Sequence, residues 1–126
     1  MRLIVAGSRS FNDYQYLYHT LDKLLCDVIK RDVKITIIHG DARGPDRMGG
    51  KYAKDKGYEV EVFPANWDEY GKAAGYRRNK QMATNADALC AFWDGQSKGT
   101  AHMIDLALDN YLNVRVIRFK GGEHGQ

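Results

Sequence analysis

The chain has 126 residues, enough for one compact domain whose core needs no disulfide or metal staples. Hydrophobic residues make up 44% and charged residues 28%, an ordinary globular balance that excludes a largely disordered chain. A formal charge of +3 is too small to mark a nucleic-acid binder by itself; that function would need clustered cations. Cys26 and Cys90 lie far apart and form no CxxC pair, so zinc and dithiol chemistry have no support, and both read as small buried thiols. His19, His39, His102 and His124 lack metal-ligand spacing, and no protein-bound metal is expected. The apolar run in MRLIVAGSRS is too short for a signal peptide, and nothing else approaches a membrane span. A cytoplasmic location and no membrane partner are expected.

Residues 3–6 form a short apolar run closed by Gly7, Ser8 and Arg9, which predicts a buried first strand and its exit turn. From Tyr14, the residues Leu17, Tyr18, Leu21, Leu24, Leu25, Val28 and Ile29 recur at three- and four-residue steps behind Asn12 and Asp13, which predicts the first helix. Residues 35–38 are β-branched and give the second strand. A helix follows from Pro45 to about Lys56 and stops at Gly57. Residues 59–63 alternate Glu and Val, so one face is wet, the mark of an edge strand. An irregular stretch over 66–75 leads to a helix predicted from about Tyr76 to Asn85, with Arg77, Arg78 and Asn79 in its first turn. Basic residues there oppose the helix dipole unless an anion is held nearby. Residues 88–93 are the apolar fourth strand, followed by the turn DGQSKGT and a helix with Ala101, Ile104, Ala107, Leu108 and Tyr111 on one face. Val114, Val116 and Ile117 interleave with Arg115 and Arg118 in a half-wet fifth strand. Residues 1–120 form the domain, and 121–126 read as a mobile tail.

Five strands alternating with helices predict a single-domain, Rossmann-like α/β three-layer sandwich on a parallel five-stranded sheet. Two wet strands at the edges and three apolar ones inside fit the order 3-2-1-4-5. In that order the chain changes direction between strands one and four, and ligands bind outside the carboxyl ends at such a point.

Three polar, glycine-bearing turns converge there. In ITIIHGDARGPD, Gly40 and Gly44 can bring bare backbone close to a ligand, and Pro45 and Asp46 open a helix whose first N–H groups lack internal partners. An ordinary tight strand-to-helix connection explains that loop equally well when it is taken alone. The turn at residues 7–9 and the turn at 94–100 flank the same crevice, and three such turns in one place favour a ligand site. Arg9, Arg43, Arg47, Arg77 and Arg78 gather near these turns. A phosphate-bearing small ligand, part of a nucleic-acid groove or a solvated face would each explain them, and the first is favoured because each arginine lies beside a glycine turn or a helix start.

Together, GSRSF, HGDARGPD, AGYRRN and WDGQSKGT resemble the SLOG superfamily, in particular its YspA-like branch related to YpsA. The resemblance runs from Arg2 to about Arg118. It implies a Rossmann-like domain that binds a nucleotide or a nucleotide-derived ligand such as an ADP-ribose-like molecule, and related domains commonly pair as homo-oligomers. It further implies that Gly7, Ser8 and Arg9 line one wall, and that Gly40, Gly44 and Asp46 form the second loop. Arg78 and Asn79 then come from the helix, and Asp94, Ser97, Gly99 and Thr100 from the fourth loop. Amides around Gly99 and Thr100 would cradle a phosphate, with the Ser97 and Thr100 hydroxyls as further donors. Asp41 departs from the pattern, which often has glycine or another small residue there, and its carboxylate would repel a phosphate.

The fingerprint is not that of a nicotinamide-dependent dehydrogenase: no G-x-G-x-x-G follows the first strand, and no acid closes the second in the ribose-binding position. A ligand-binding module is the leading reading. The alternative is an N-glycosidic hydrolase acting on nucleoside monophosphates, as in the phosphoribohydrolase relatives. Their P-G-G-x-G-T-x-x-E motif carries a glutamate where this chain has Met103, leaving Asp46 as the one candidate catalytic carboxylate. Single-stranded DNA binding, suggested by Trp67, Tyr70 and Tyr76 near Arg77 and Arg78, is a weaker third reading than a ligand lid or a dimer contact.

Overall fold

The computed structural model describes residues 1–120; the tail expected over 121–126, with His124, lies outside the described residues. The chain runs β1 (Arg2–Gly7), α1 (Tyr14–Leu24), α2 (Cys26–Lys30), β2 (Thr36–His39), α3 (Pro45–Lys56) and β3 (Glu59–Val62). It continues through α4 (Trp67–Tyr70), a 3₁₀ turn (Gly71–Ala73), α5 (Ala74–Ala83), β4 (Ala88–Trp93), α6 (Lys98–Asp109) and β5 (Asn113–Arg118). All five strands are parallel, in the order β3-β2-β1-β4-β5. The fold is therefore the α/β Rossmann-like sandwich expected, with the wet strands at the edges.

Strand alternation divides the core into two layers. Leu3, Val5, Ile37 and Cys90 point toward Leu17, Leu21 and Tyr52 of α1 and α3. Ile4, Ala6, Ile38, Leu89 and Ala91 point the other way, against Met82 of α5 and Met103, Ile104 and Ala107 of α6. Helix α3 lies close on β1: a Cβ at Gly49 would stand 2.7 Å from Val5 Cβ. This pairing fixes where α3 begins and hence the path of the loop that feeds it. Among the described residues no helix is long and apolar enough to cross a membrane.

Several helix details differ from the periodicity. The first helix breaks at Leu25 (ψ 1°), and α2 follows as a short separate piece. The buried stripe runs Leu17, Leu21, Leu25, Val28, and Cys26 lies about 100° round from Leu25. Cys26 is thus exposed, contrary to expectation, and Ile29 is also outside the core; Cys90 is buried as expected.

On α6 the buried positions are Thr100, Met103, Ile104 and Ala107. Leu108 falls off that stripe. Tyr111 lies beyond the cap Asn110 at φ +60°, which turns its ring into solvent at 95% exposure. Helix α5 starts at Ala74, two residues before the expected start, because Gly71 at φ +56° turns the chain into a 3₁₀ turn that runs straight into the helix. Arg77 and Arg78 consequently stand in its second turn, and the dipole cost expected for a first-turn position falls away.

Candidate functional site

The crevice lies beyond the carboxyl ends of β1 and β4, which stay paired as far as Gly7 and Phe92, and Ser8 ties the two exits together. Its N–H donates to the Phe92 carbonyl at 2.9 Å, and its Oγ accepts the Asp94 N–H at 3.1 Å. Gly7 is needed here for packing, since a Cβ would collide with the Phe92 carbonyl and stand 2.7 Å from Pro45. Asp94 shapes the fourth loop by accepting the N–H groups of Gln96 and Ser97, each at 2.8 Å. Partial burial works to raise its pKa, but these backbone bonds outweigh it and hold the carboxyl below its usual value. Ser8 and Asp94 therefore build the wall from behind and do not face the cavity.

The second loop holds its own anion. Asp46, 5% exposed, sits in the first turn of α3 and accepts the Gly40 N–H at 2.8 Å. Burial raises its pKa to about 6, against the pull of backbone donors and of Arg78. Above Gly40 lies the guanidinium of Arg78, which donates to the Gly40 carbonyl through one amino nitrogen and to Asn79 Oδ1 through Nε at 3.1 Å. A Cβ at Gly40 would occupy the place of that guanidinium. Gly44, at φ +91°, faces the backbone of Ser8 and Arg9. Both glycines thus serve contacts within the protein, and the carboxylate of Asp46 fills the helix-start position that a bound anion would otherwise take. Asp41 turns toward Arg47, 3.2 Å away, while its N–H donates to His39 Nδ1 at 3.0 Å. Burial lowers the pKa of His39 against the pull of Asp41, which favours the neutral ring that can accept that bond.

The start of α6 is different. Ser97 is the N-cap: its Oγ accepts the Thr100 N–H at 3.4 Å and forms a hydrogen bond with Thr100 Oγ1 at 3.1 Å, in which either hydroxyl can be the donor. The turn thus takes up one of the two hydroxyl protons and one amide, leaving the other hydroxyl proton free, so the cradle has fewer open donors than the motif suggests. The first turn contains no acid, and the N–H groups of Lys98 and Gly99 precede the first intrahelical bond. Among the described residues, nothing beyond its chain neighbours and the helix's own backbone lies within 4 Å of where a Gly99 Cβ would be. Asn79 fixes this turn from α5 by donating to the Gly99 carbonyl at 3.3 Å, and reaches His102 Nδ1 at 3.4 Å.

These elements enclose a cavity of about 240 Å³. Of the residues singled out from sequence, Gly7, Arg9, Asp46, Arg78, Asn79, Ser97, Gly99 and Thr100 line it; Gly40 lies in an adjoining cavity, and Ser8, Gly44 and Asp94 line neither. Met82 and Met103 give it an apolar side, while Trp67, Lys72 and Tyr76 come from the α4–α5 segment. Lys72 and Met82 were not singled out from sequence. Their path depends on the turn at Gly71, which periodicity does not encode. Arg77 lies elsewhere, stacked 3.9 Å from the Tyr70 ring centre. Among the described residues no cluster of three metal-ligating side chains occurs.

A Rossmann-like sheet with a cationic, aromatic-walled cavity at its switch point defines a class of ligand-site domains. Within that class, the model of the YspA, cpYpsA-related SLOG family matches residues 1–70. A protein described as "Gene 61 protein" from Mycobacterium phage D29 is 33% identical over 107 residues, covering 80% of this chain and 83% of the relative. The chain belongs to the YspA, cpYpsA-related SLOG family.

The raised pKa of Asp46 has a sign that can be tested. The folded protein keeps the proton up to about pH 6, whereas the unfolded chain releases it near 3.8. Between those values the folded state binds more protons, so this group's contribution falls as pH rises. The stability of the native protein relative to Asp46→Asn should therefore drop by on the order of 3 kcal/mol from pH 3.5 to 6.5 in urea titrations, and stay level above. A difference independent of pH would show that Asp46 ionises normally in the fold.

Proposed function

We propose that the protein binds a phosphorylated, nucleotide-derived small molecule in the switch-point cavity, as a sensor, carrier or sequestering module. The observation that carries this reading is the start of α6. Gly99 has open space above it, no acid occupies the first turn, and Arg9, Lys72 and Arg78 bring positive charge to the same cavity. A phosphate there would accept the Lys98 and Gly99 N–H groups. Trp67 and Tyr76, each about half exposed, offer flat faces to a base, and the two methionines offer an adaptable apolar contact. Asp46 has a carboxyl at the cavity wall that suits a ribose hydroxyl. Family membership supports a nucleotide-related ligand of this kind.

A second reading, cleavage of an N-glycosidic bond, draws on the same Asp46: a buried acid with a pKa near 6 is suited to proton transfer. Against it stands Met103, buried at the cavity floor where the hydrolytic relatives carry glutamate. A thioether neither takes a proton at neutral pH nor offsets the positive charge that builds on a sugar as its bond breaks. Binding without turnover is the better account.

Calorimetry with a nucleotide panel tests the binding claim. Gly99→Val should abolish binding while leaving the thermal melt close to native, because the added methyls enter the cavity and not the core. Arg78→Ala should weaken binding by roughly 1.5 to 3 kcal/mol, whereas Arg77→Ala should change it by less than about 0.5 kcal/mol. Unchanged affinity in Gly99→Val, or equal losses from the two arginine variants, would remove this site. For the second reading, incubation with AMP at high protein concentration should yield no free base or ribose phosphate by chromatography. Product from the native protein that vanishes in Asp46→Asn would establish catalysis.

A further inference from the structure

Beside the switch-point cavity lies a larger one of about 560 Å³, and the two share Arg9, Ala42, Trp67 and Arg78. The first alone, at about 240 Å³, falls short of the roughly 300–1,000 Å³ of ordinary ligand sites. The second is lined by four arginines, Arg9, Arg43, Arg47 and Arg78, and by a single acidic residue, Asp41. Arg47 holds that carboxylate at 3.2 Å, while Arg9, Arg43 and Arg78 form no ion pair among the described residues. Like charges gathered in a concave space repel one another more than on an open surface, and an anion placed among them offsets the repulsion. The array is also partly fixed in advance, since Arg78 is tied to the Gly40 carbonyl and to Asn79. Trp67 stands at the seam of the two cavities with 53% of its surface exposed.

Building on the nucleotide-binding reading above, we propose that the second cavity is a second phosphate subsite, and that the ligand is a nucleoside carrying two separate phosphoryl groups. One phosphate meets the start of α6, the other lies among Arg9, Arg43 and Arg47, and the nucleoside between them rests on Trp67. Arginine suits the second position because its planar fork can bond two phosphate oxygens at once. A nucleic-acid strand also places phosphates on both sides of a base, but the first cavity, at about 240 Å³, has room for little beyond one phosphate and part of its nucleoside, which favours a free ligand over a continuing strand.

The test is calorimetry of the full chain with the 5′-monophosphates and the 3′,5′-bisphosphates of adenosine, guanosine, cytidine and uridine, and with a single-stranded oligonucleotide. For the best-bound base, the bisphosphate should bind at least about tenfold tighter than the monophosphate. Arg43→Ala should erase that gain, whereas Arg77→Ala should keep it. Equal affinity for mono- and bisphosphate with all four bases would overturn the second subsite and leave the nucleotide-binding reading standing; binding of none of the eight would overturn both. A gain that survives Arg43→Ala would also overturn it, by putting the second phosphate elsewhere. An oligonucleotide bound more tightly than any bisphosphate would overturn the assignment to a free small ligand.

Discussion

The guanidinium of Arg78 lying across Gly40, while Asp46 takes the N–H of the same residue from the other side, is the contact on which the site depends. It joins the end of β2 and the adjacent start of α3 to the second turn of α5, which lies far away in sequence. Only glycine permits it, because any Cβ at residue 40 would occupy the space of the guanidinium. The same arginine passes its Nε–H to Asn79, and Asn79 in turn donates to the Gly99 carbonyl at the start of α6. A short polar chain thus runs from the second loop to the fourth. Because Gly40 and Asn79 are buried and Arg78 partly so, leaving any of these three unpaired would cost more than the bond gains, which keeps the chain intact.

That contact also separates two helix starts that look alike in sequence. Both α3 and α6 follow a glycine-bearing turn, and either could hold an anion by the argument from unpaired amides and the helix dipole. At α3 the protein supplies the anion itself in Asp46, and Gly40 and Gly44 are taken up by Arg78 and by the Ser8–Arg9 backbone. At α6 the first turn has no acid and Gly99 borders open space. Asp41, whose charge would oppose a phosphate, is held by Arg47 and lines the adjoining cavity, not the one at the start of α6.

Much of the architecture was legible because it follows from periods and endings. Apolar runs against alternating ones distinguished central from edge strands, and with that the order 3-2-1-4-5 and the crevice between β1 and β4 followed. Pro45 and Gly57 marked the two ends of α3 as read. What the sequence did not disclose depends on three-dimensional packing. The glycines of the second loop looked like phosphate contacts, yet they serve as room for protein atoms, a use that no local pattern distinguishes. The break at Leu25, the early start of α5 and the outward turn of Tyr111 each hang on one backbone angle. Lys72 and Met82 join the cavity only once the α4–α5 path is known.

The central claim is that the open start of α6 holds the phosphate of a nucleotide-derived ligand. Mass spectrometry of small molecules released by denaturing the purified protein addresses it most directly, with Gly99→Val prepared in parallel. The account predicts a phosphorylated, nucleotide-derived compound from the native protein and its loss from the variant. A released ligand that carries no phosphate, or the same compound in equal yield from both proteins, would contradict it.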